Sequence, residues 1–152
     1  MPAGKWKLYE QAKLDIVNGL IDFDSHSFKI NLYLSTSNCN TLSGTTTLAS
    51  LTNQVATNYG YTQDTKAVTI STSQASGTVT VDETTNPVWT ASGGSITARY
   101  AVIYDDTHAS KQAVCVCLLD TTPADVTATS GNTFTITMNA SGLFTISGGA
   151  VD

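Results

Sequence analysis

The feature that most constrains this chain is a run of seven residues, 113–119 (Ala-Val-Cys-Val-Cys-Leu-Leu), in which every side chain is apolar. A strand with one face in water alternates apolar and polar residues, whereas a strand covered on both faces does not. Seven residues are also too few to cross a membrane as a helix. The run therefore predicts an interior strand, with a core on one face and a covering layer on the other.

A second run of apolar, β-branched and aromatic residues, 95–104, precedes the first, and the polar segment 105–111 connects them. This arrangement is typical of a β-hairpin. Charged residues make up 12% of the chain, about half the usual share, and about a quarter of the residues are Ser or Thr. Thr suits the exposed faces of strands, so the composition favours an all-β protein.

Further strands are predicted at 28–34, 67–73, 78–81, 88–90, 133–139 and 143–147. In the first of these Phe28, Ile30, Leu32 and Leu34 are predicted to point inward, and Lys29, Asn31 and Tyr33 outward. Hydrophobic residues at 48, 51 and 55 indicate a short helical turn. The segment 139–142 is predicted to be a turn that joins the last two strands as a hairpin.

One helix is predicted over residues 2–18, with Pro2 in its first turn and Gly19 as its stop. Its apolar stripe would comprise Trp6, Leu8, Tyr9, Ala12, Ile16 and Val17. This stripe is a natural cover for one face of the 113–119 strand. The predicted fold is thus mainly β, with residues 1–152 in a single domain. Its architecture would be a two-sheet antiparallel β-sandwich, jelly-roll or immunoglobulin-like, with one N-terminal α-helix packed on a sheet.

The charge and the cysteines narrow the possible partners and compartments. A net charge of −5 and a pI near 4.7 argue against nucleic acid, which requires a basic patch. The N-terminus lacks the apolar segment of a secretory signal peptide, and no membrane association is expected. Cys115 and Cys117 point to the same side of one strand, so they are poorly placed to bond to each other. We expect reduced, buried thiols formed in a cytoplasm, and a metal site at Cys-Val-Cys lacks a third ligand at the usual spacing.

Few groups in the chain could support catalysis. They are two histidines, His26 and His108, and two close pairs of carboxylates, Asp22 with Asp24 and Asp105 with Asp106. Both histidines lie in predicted turns, where a solvated ring is usual. The carboxylate pairs could serve a hydrolase or bind calcium, but capping of turns is the favoured interpretation. The sequence predicts no enzyme activity, no cofactor and no metal.

Several segments, taken in order, resemble a family of small structural proteins from tailed bacteriophages. They are 4–9 (GKWKLY), 18–24 (NGLIDFD), 28–34 (FKINLYL), 51–55 (LTNQV), 59–61 (YGY), 88–91 (VWTA), 98–104 (ARYAVIY) and 139–143 (NASGL). The resemblance implies a virion component of the head-decoration or cement type, with no catalytic residues to carry over. Gln54 departs from the family pattern, in which an acidic residue is common at that position.

The first functional hypothesis is therefore a capsid decoration protein, made and assembled in the host bacterial cytoplasm. It would act as a homo-oligomer that binds the major capsid protein or other virion proteins. The alternative is a carbohydrate- or receptor-binding module of a tail fibre or spike, with Tyr59, Tyr61 and Trp89 as stacking rings; a hydrolase ranks last. A large apolar patch around the helix would favour the first hypothesis, and an exposed aromatic platform the second. The candidate partner contacts are Lys5, Trp6, Lys7, Tyr9, Tyr59 and Tyr61.

Overall fold

The structure is a computed structural model that describes residues 4–44, 46–120, 122 and 124–148. Within these residues the chain is mainly β, with one α-helix, α1 (Glu10–Val17), and one 3₁₀ turn (Leu48–Ser50). The strands are β1 (Lys7–Leu8), β2 (Phe28–Tyr33), β3 (Ala67–Val68), β4 (Ile70–Ala75), β5 (Thr78–Glu83), β6 (Val88–Thr90), β7 (Ile96–Ala98), β8 (Tyr100–Asp105), β9 (Ala113–Leu118), β10 (Val126–Ala128), β11 (Thr133–Thr135) and β12 (Phe144–Ser147).

The largest sheet is antiparallel, with the strand order β1-β9-β8-β2-β3. Strand β9 corresponds to the uninterrupted apolar run, and it lies between β1 and β8. Ala113, Cys115 and Val116 are buried, and Leu118 is half-buried. Both alternating sets of side chains are therefore covered, and the prediction of an interior strand is confirmed. The predicted hairpin is present as β8 and β9.

The face of β2 that was predicted to point outward is also covered. Asn31 and Tyr33 are both fully buried. Asn31 Nδ2 donates to Asp64 Oδ1 at 2.5 Å, and the backbone N–H of Asp64 donates to Asn31 Oδ1 at 3.0 Å. The prediction of an outward Asn31 and Tyr33 is wrong, because the chain covers this face: Asp64 satisfies the Asn31 amide, and the Tyr33 hydroxyl is buried without a hydrogen-bond partner. The prediction of an inward Leu34 is also wrong, since Leu34 is exposed.

The segment 53–66 also closes the outer edge of β2. Strand β3 pairs with Phe28 and Lys29 alone, so the rest of that edge needs other partners. The backbone N–H groups of β2 and of the residue after it donate to Lys66 O (from Ile30), Tyr61 Oη (from Leu32) and Asn53 O (from Leu34), at 2.9–3.0 Å. A loop and one tyrosine hydroxyl thus replace a strand at this edge.

Three smaller sheets complete the β-structure, with the orders β12-β5-β4, β10-β7 and β11-β6. The predicted hairpin of residues 133–139 with 143–147 is wrong. The turn exists, because Gly142 N–H donates to Asn139 O at 2.9 Å, but Leu143 N–H donates to Val81 O at 2.8 Å and directs the chain onto β5. The run 95–104 likewise divides into β7, which pairs with β10, and β8 in the large sheet.

Buried side chains of the large sheet and of the two two-stranded sheets form one cluster, and Ile70 and Phe144 of the three-stranded sheet pack against it. The ring of Phe23 stacks on Phe28 of β2, with centroids 5.3 Å apart, and lies 5.9 Å from Phe144 of β12. Trp89 of β6 meets Phe134 of β11 edge-on at 6.2 Å. The small sheets are therefore packed on a core that they share with the large one.

The helix is shorter than predicted. Residues 7 and 8 form β1, in which Lys7 lies opposite Val116 of β9, so the prediction of a helix over 2–18 is wrong at its start; Pro2 lies outside the described residues. Its end is as predicted: Gly19 has φ +70°, its N–H donates to Ile16 O, and Leu20 N–H donates to Asp15 O at 2.8 Å. This is a Schellman motif. Helix α1 contacts β9, which confirms that it packs on a sheet.

Candidate partner-binding surface

Helix α1 departs in part from the usual arrangement of polar and apolar residues: Ile16 packs against the core and Glu10 and Lys13 are exposed, but a carboxylate is buried and two aliphatic side chains are exposed. Ala12 and Asp15 are buried, and Leu14 and Val17 lie on the outer face. Burial of the Asp15 carboxylate is compensated by Gln11 Nε2, which donates to Asp15 Oδ1 at 2.8 Å. A hydrogen bond within the helix thus satisfies the buried carboxylate, and aliphatic side chains remain outside.

These aliphatic side chains form what we call the outer helical patch: Leu14, Val17 and Leu20. Their exposed fractions are 52%, 83% and 51%. Leu14 and Val17 are neighbours on the helix surface at i and i+3, and Leu20 follows at the Schellman motif. Val17 was predicted to belong to the buried stripe, and that prediction is wrong, because Asp15 occupies the inner face. Exposed groups of large apolar residues with a polar rim mark interaction sites.

Among the candidate partner contacts near the N-terminus, the two aromatic rings are buried and the two lysines are exposed. Trp6 is 7% exposed and Tyr9 is fully buried, with its hydroxyl donating to Cys39 O at 2.5 Å. Burial raises the pKa of Tyr9 far above its usual value. Lys5 and Lys7 alternate with these rings and are exposed. The expectation that Trp6 and Tyr9 contact a partner is thus corrected: both rings pack in the core, and the two lysines are what this segment presents.

The three rings considered for stacking on sugars do not form a platform. Tyr61 and Trp89 are buried against each other, with centroids 5.9 Å apart, and Tyr59 is 43% exposed. The Tyr59 ring lies so close to Gly94 that a β-carbon there would be 2.3 Å from it. Lys66 Nζ lies 5.3 Å from the Trp89 ring centroid, a cation–π contact. Of the predicted stacking surface, a single ring at Tyr59 faces solvent.

His26 is not a solvated turn residue as predicted. Its Nδ1 lies 2.6 Å from Asp105 Oδ2, and the Asp105 side chain is fully buried. Asp105 Oδ1 also accepts the backbone N–H groups of Thr107 and His108 at 2.9 and 3.0 Å. Among the described residues no hydroxyl or thiol donates to the His26 ring, so this His–Asp pair lacks the nucleophile of an acyl-transfer site. It fastens the turn at 22–26 to the hairpin. Because the two residues are 79 positions apart, the sequence alone does not reveal this pair.

The other carboxylates act in turns and ion pairs. Asp22 Oδ2 accepts the Ser25 hydroxyl at 2.6 Å, and this hydrogen bond is the main cause that lowers the pKa of Asp22. Asp106 lies 2.7 Å from both Lys111 and Lys29, which lower its pKa in that order. Turn capping is confirmed for Asp22 and Asp105. No cluster of three or more metal-ligating side chains occurs in the part of the chain that the structure describes.

All three cysteines are free and buried, as predicted for Cys115 and Cys117. Burial raises the pKa of Cys39 to about 11 and raises those of Cys115 and Cys117 further. The thiolate is the reactive form of cysteine, so these groups are inert in the folded protein at neutral pH.

Comparison with known protein families, curated proteins and solved structures found no match to this chain. No helix among the described residues is long and apolar enough to cross a membrane. The features that bear on function are therefore the outer helical patch, the two exposed lysines and the resemblance of the sequence motifs.

Proposed function

We propose that this protein is a structural component of a tailed-phage particle that decorates or cements the head by binding coat subunits. The observation that carries the proposal is the outer helical patch, where Leu14 and Val17 of α1 and Leu20 just after it face solvent, while α1 buries Asp15. The proposal is favoured over the sugar-binding alternative because three aliphatic side chains are exposed at the helix, whereas Tyr59, Tyr61 and Trp89 form no stacking platform. That the particle is a tailed phage is proposed from the resemblance of the sequence motifs.

The energetics of such a contact suit a repetitive particle. Burying an aliphatic side chain contributes about 1.5–3 kcal/mol, and a stable interface covers about 800 Å² on each partner. Three aliphatic residues supply only part of that area, so a single copy would bind weakly. On a symmetric shell many copies bind at once, and oligomers of this protein would add their contacts. The exposed Lys5 and Lys7 would assist the encounter with an acidic coat surface.

We further propose that the sheets form the two layers of an antiparallel β-sandwich, of jelly-roll or immunoglobulin-like type. The support is the ring of Phe23, which joins Phe28 in the large sheet to Phe144 in the three-stranded sheet. In this arrangement the sandwich is the rigid support on which α1 presents its outer face.

The proposal is tested by changing the outer helical patch alone. The variant Leu14→Gln, Val17→Gln, Leu20→Gln replaces each aliphatic side chain with a neutral polar one, and Gln is a good helix former at positions 14 and 17. Binding to heads assembled without this protein would be measured by co-sedimentation. We expect affinity to fall at least a hundredfold, since three apolar burials are worth more than about 2.7 kcal/mol together.

The matched control is Val88→Gln, the same substitution at an exposed aliphatic residue on β6. It should bind as the unchanged protein does, and circular dichroism should show that both variants are folded. A folded triple variant that binds with full affinity would remove the patch from the interface. If the unchanged protein does not bind heads at all, the proposed role is wrong.

A further inference from the structure

Strand β4 (Ile70–Ala75) is an open edge of the three-stranded sheet β12-β5-β4. It pairs with β5 along its whole length without a bulge, from Ile70 opposite Glu83 to Ala75 opposite Thr78. Five of its six residues are exposed, and Ile70 is half-buried. Apart from its pairing with β5, residues 70–75 make no backbone hydrogen bond within the described chain.

The direction of the unpaired groups follows from the register. Thr84 N–H donates to Thr69 O at 3.0 Å, so this pair is hydrogen-bonded. Hydrogen-bonded residues alternate along an antiparallel pair. The N–H and C=O groups of Ile70, Thr72 and Gln74 therefore point away from β5, toward the open edge.

This edge lacks the devices that usually prevent strands from pairing with other chains. Natural edges carry lysine, proline or a bulge, or they are covered by a loop. The sequence of β4, Ile-Ser-Thr-Ser-Gln-Ala, has no charge and no proline. The same molecule covers the edge of β2 with residues 53–66, and its edge strand β1 carries the exposed Lys7. The open edge at β4 thus differs from these two edges of the large sheet.

The edge is also held in shape at both ends. Ser76 and Gly77 have φ values of 50° and 77°, the two positive values typical of a type I′ hairpin turn. At the other end Thr69 N–H donates to Glu83 Oε1 at 3.3 Å. A strand fixed in this way loses little conformational freedom when a partner strand is added.

We infer that β4 pairs with β4 of a second copy of this chain, antiparallel and across a two-fold axis at Thr72. This register places Thr72 opposite Thr72 of the copy, Ser71 opposite Ser73, and Ile70 opposite Gln74. The outward groups of Ile70, Thr72 and Gln74 then form about six hydrogen bonds. Cross-strand Thr–Thr and Ser–Ser pairs are compatible, and the interface is isologous.

Charge favours a second copy at this edge. The chain carries a net charge of −5, so most surfaces of two copies repel each other. Strand β4 has no charge, and the nearest carboxylate on β5 outside the buried Glu83 is Asp82. Two Asp82 side chains would be at least three strand spacings apart, about 14 Å, which exceeds the Debye length of about 8 Å at physiological salt. The dimer forms in the free protein and does not depend on the proposed binding to heads.

The test is the mass of the free protein by sedimentation over a range of concentrations, with no particles present. Two substitutions of Thr72 test whether the β4 edge forms the dimer. Thr72→Pro removes an outward N–H and leaves the bonds to β5, and Thr72→Lys places two like charges directly opposite each other. The matched control is Thr145→Lys on β12, which adds the same charge to an exposed position of the same sheet.

We expect a dimer of the 16.0-kDa chain for the unchanged protein and for Thr145→Lys, and at least tenfold weaker association for both Thr72 variants. Hydrogen exchange of the unchanged protein should show concentration-dependent protection of the Ile70, Thr72 and Gln74 amides. A monomer at every concentration, a dimer that both Thr72 variants retain, or unprotected amides would overturn the inference. If these amides are protected only when the protein is bound to heads, the edge pairs with a strand of a coat subunit. That result would also overturn the inference.

Discussion

At the scale of single residues, Glu83 is the group whose environment is least favourable to its charge. Its side chain is buried; Oε1 accepts the Thr85 hydroxyl at 2.6 Å, and Oε2 has no hydrogen-bond partner. Burial is the main cause that raises the pKa of Glu83 above its ordinary 4.5. The folded state therefore binds this proton more tightly than the unfolded state does. The contribution of protonated Glu83 to the stability of the folded state is complete below pH 4.5, and it is lost as the pH rises through the pKa of Glu83 in the folded state.

We predict that Glu83→Gln raises the free energy of unfolding at pH 7 by about 1 kcal/mol, because a neutral amide costs less to bury than a carboxylate. Below pH 4.5 the difference between the two proteins should vanish, since both side chains are then neutral. Urea denaturation at pH 7 and pH 3.5 measures both values. Asp82→Asn, which removes a charge at the adjacent residue, is the control. A Glu83→Gln protein that gains no stability at pH 7, or gains more at pH 3.5, would contradict the prediction.

At the scale of elements, the N-terminal strand β1 belongs to the fold. Trp6, next to β1, is buried, and Lys5 and Lys7 on either side are exposed. We predict that Trp6→Ala lowers the free energy of unfolding by about 3–5 kcal/mol, as loss of a buried aromatic side chain does. Lys5→Ala and Lys7→Ala should change it by less than about 0.5 kcal/mol. If Trp6→Ala left stability unchanged and weakened binding to heads instead, the ring would belong to a partner interface.

The elements also show what the sequence can and cannot predict. Strands β2, β5, β6 and β9 were found from alternation or from an uninterrupted apolar run, because those patterns are local. Strand β1 was missed although its signal is present: Lys5 and Lys7 are exposed while Trp6 is buried, which is a period of two. The pairing of β12 with β5 could not be predicted from the sequence, since the local pattern of a strand does not specify its distant partner.

The candidate surface was harder to predict than the fold. A helix with apolar residues on several sides can turn any of them inward, and Val17 was assigned to the core for that reason. Here Ala12 and Asp15 face inward while Leu14 and Val17 face solvent. Likewise the aromatic rings of Trp6, Tyr9 and Tyr61 have the composition of interface anchors, but the core requires the same residues.

At the scale of the whole molecule, the cysteines report whether the buried cluster opens as one unit. Cys39 lies in the loop before the 3₁₀ turn, and Cys115 and Cys117 lie on β9. All three belong to one cluster of buried residues, against which Ile70 and Phe144 of the three-stranded sheet also pack. A thiol reagent can reach them only when the structure opens, locally or globally.

We predict that a thiol reagent at neutral pH modifies the three cysteines together, so that mass spectrometry finds molecules with none or three labels. Burial keeps each thiol protonated as well as covered, so modification should await global unfolding, and urea should accelerate it for all three equally. Full denaturation should expose three free thiols per chain. Ser110→Cys, at an exposed turn position, is the control that should label at once. If Cys39 alone were modified while the sheets stayed intact, the loop that carries it would open independently, and the large sheet would lose its cover on that side without unfolding.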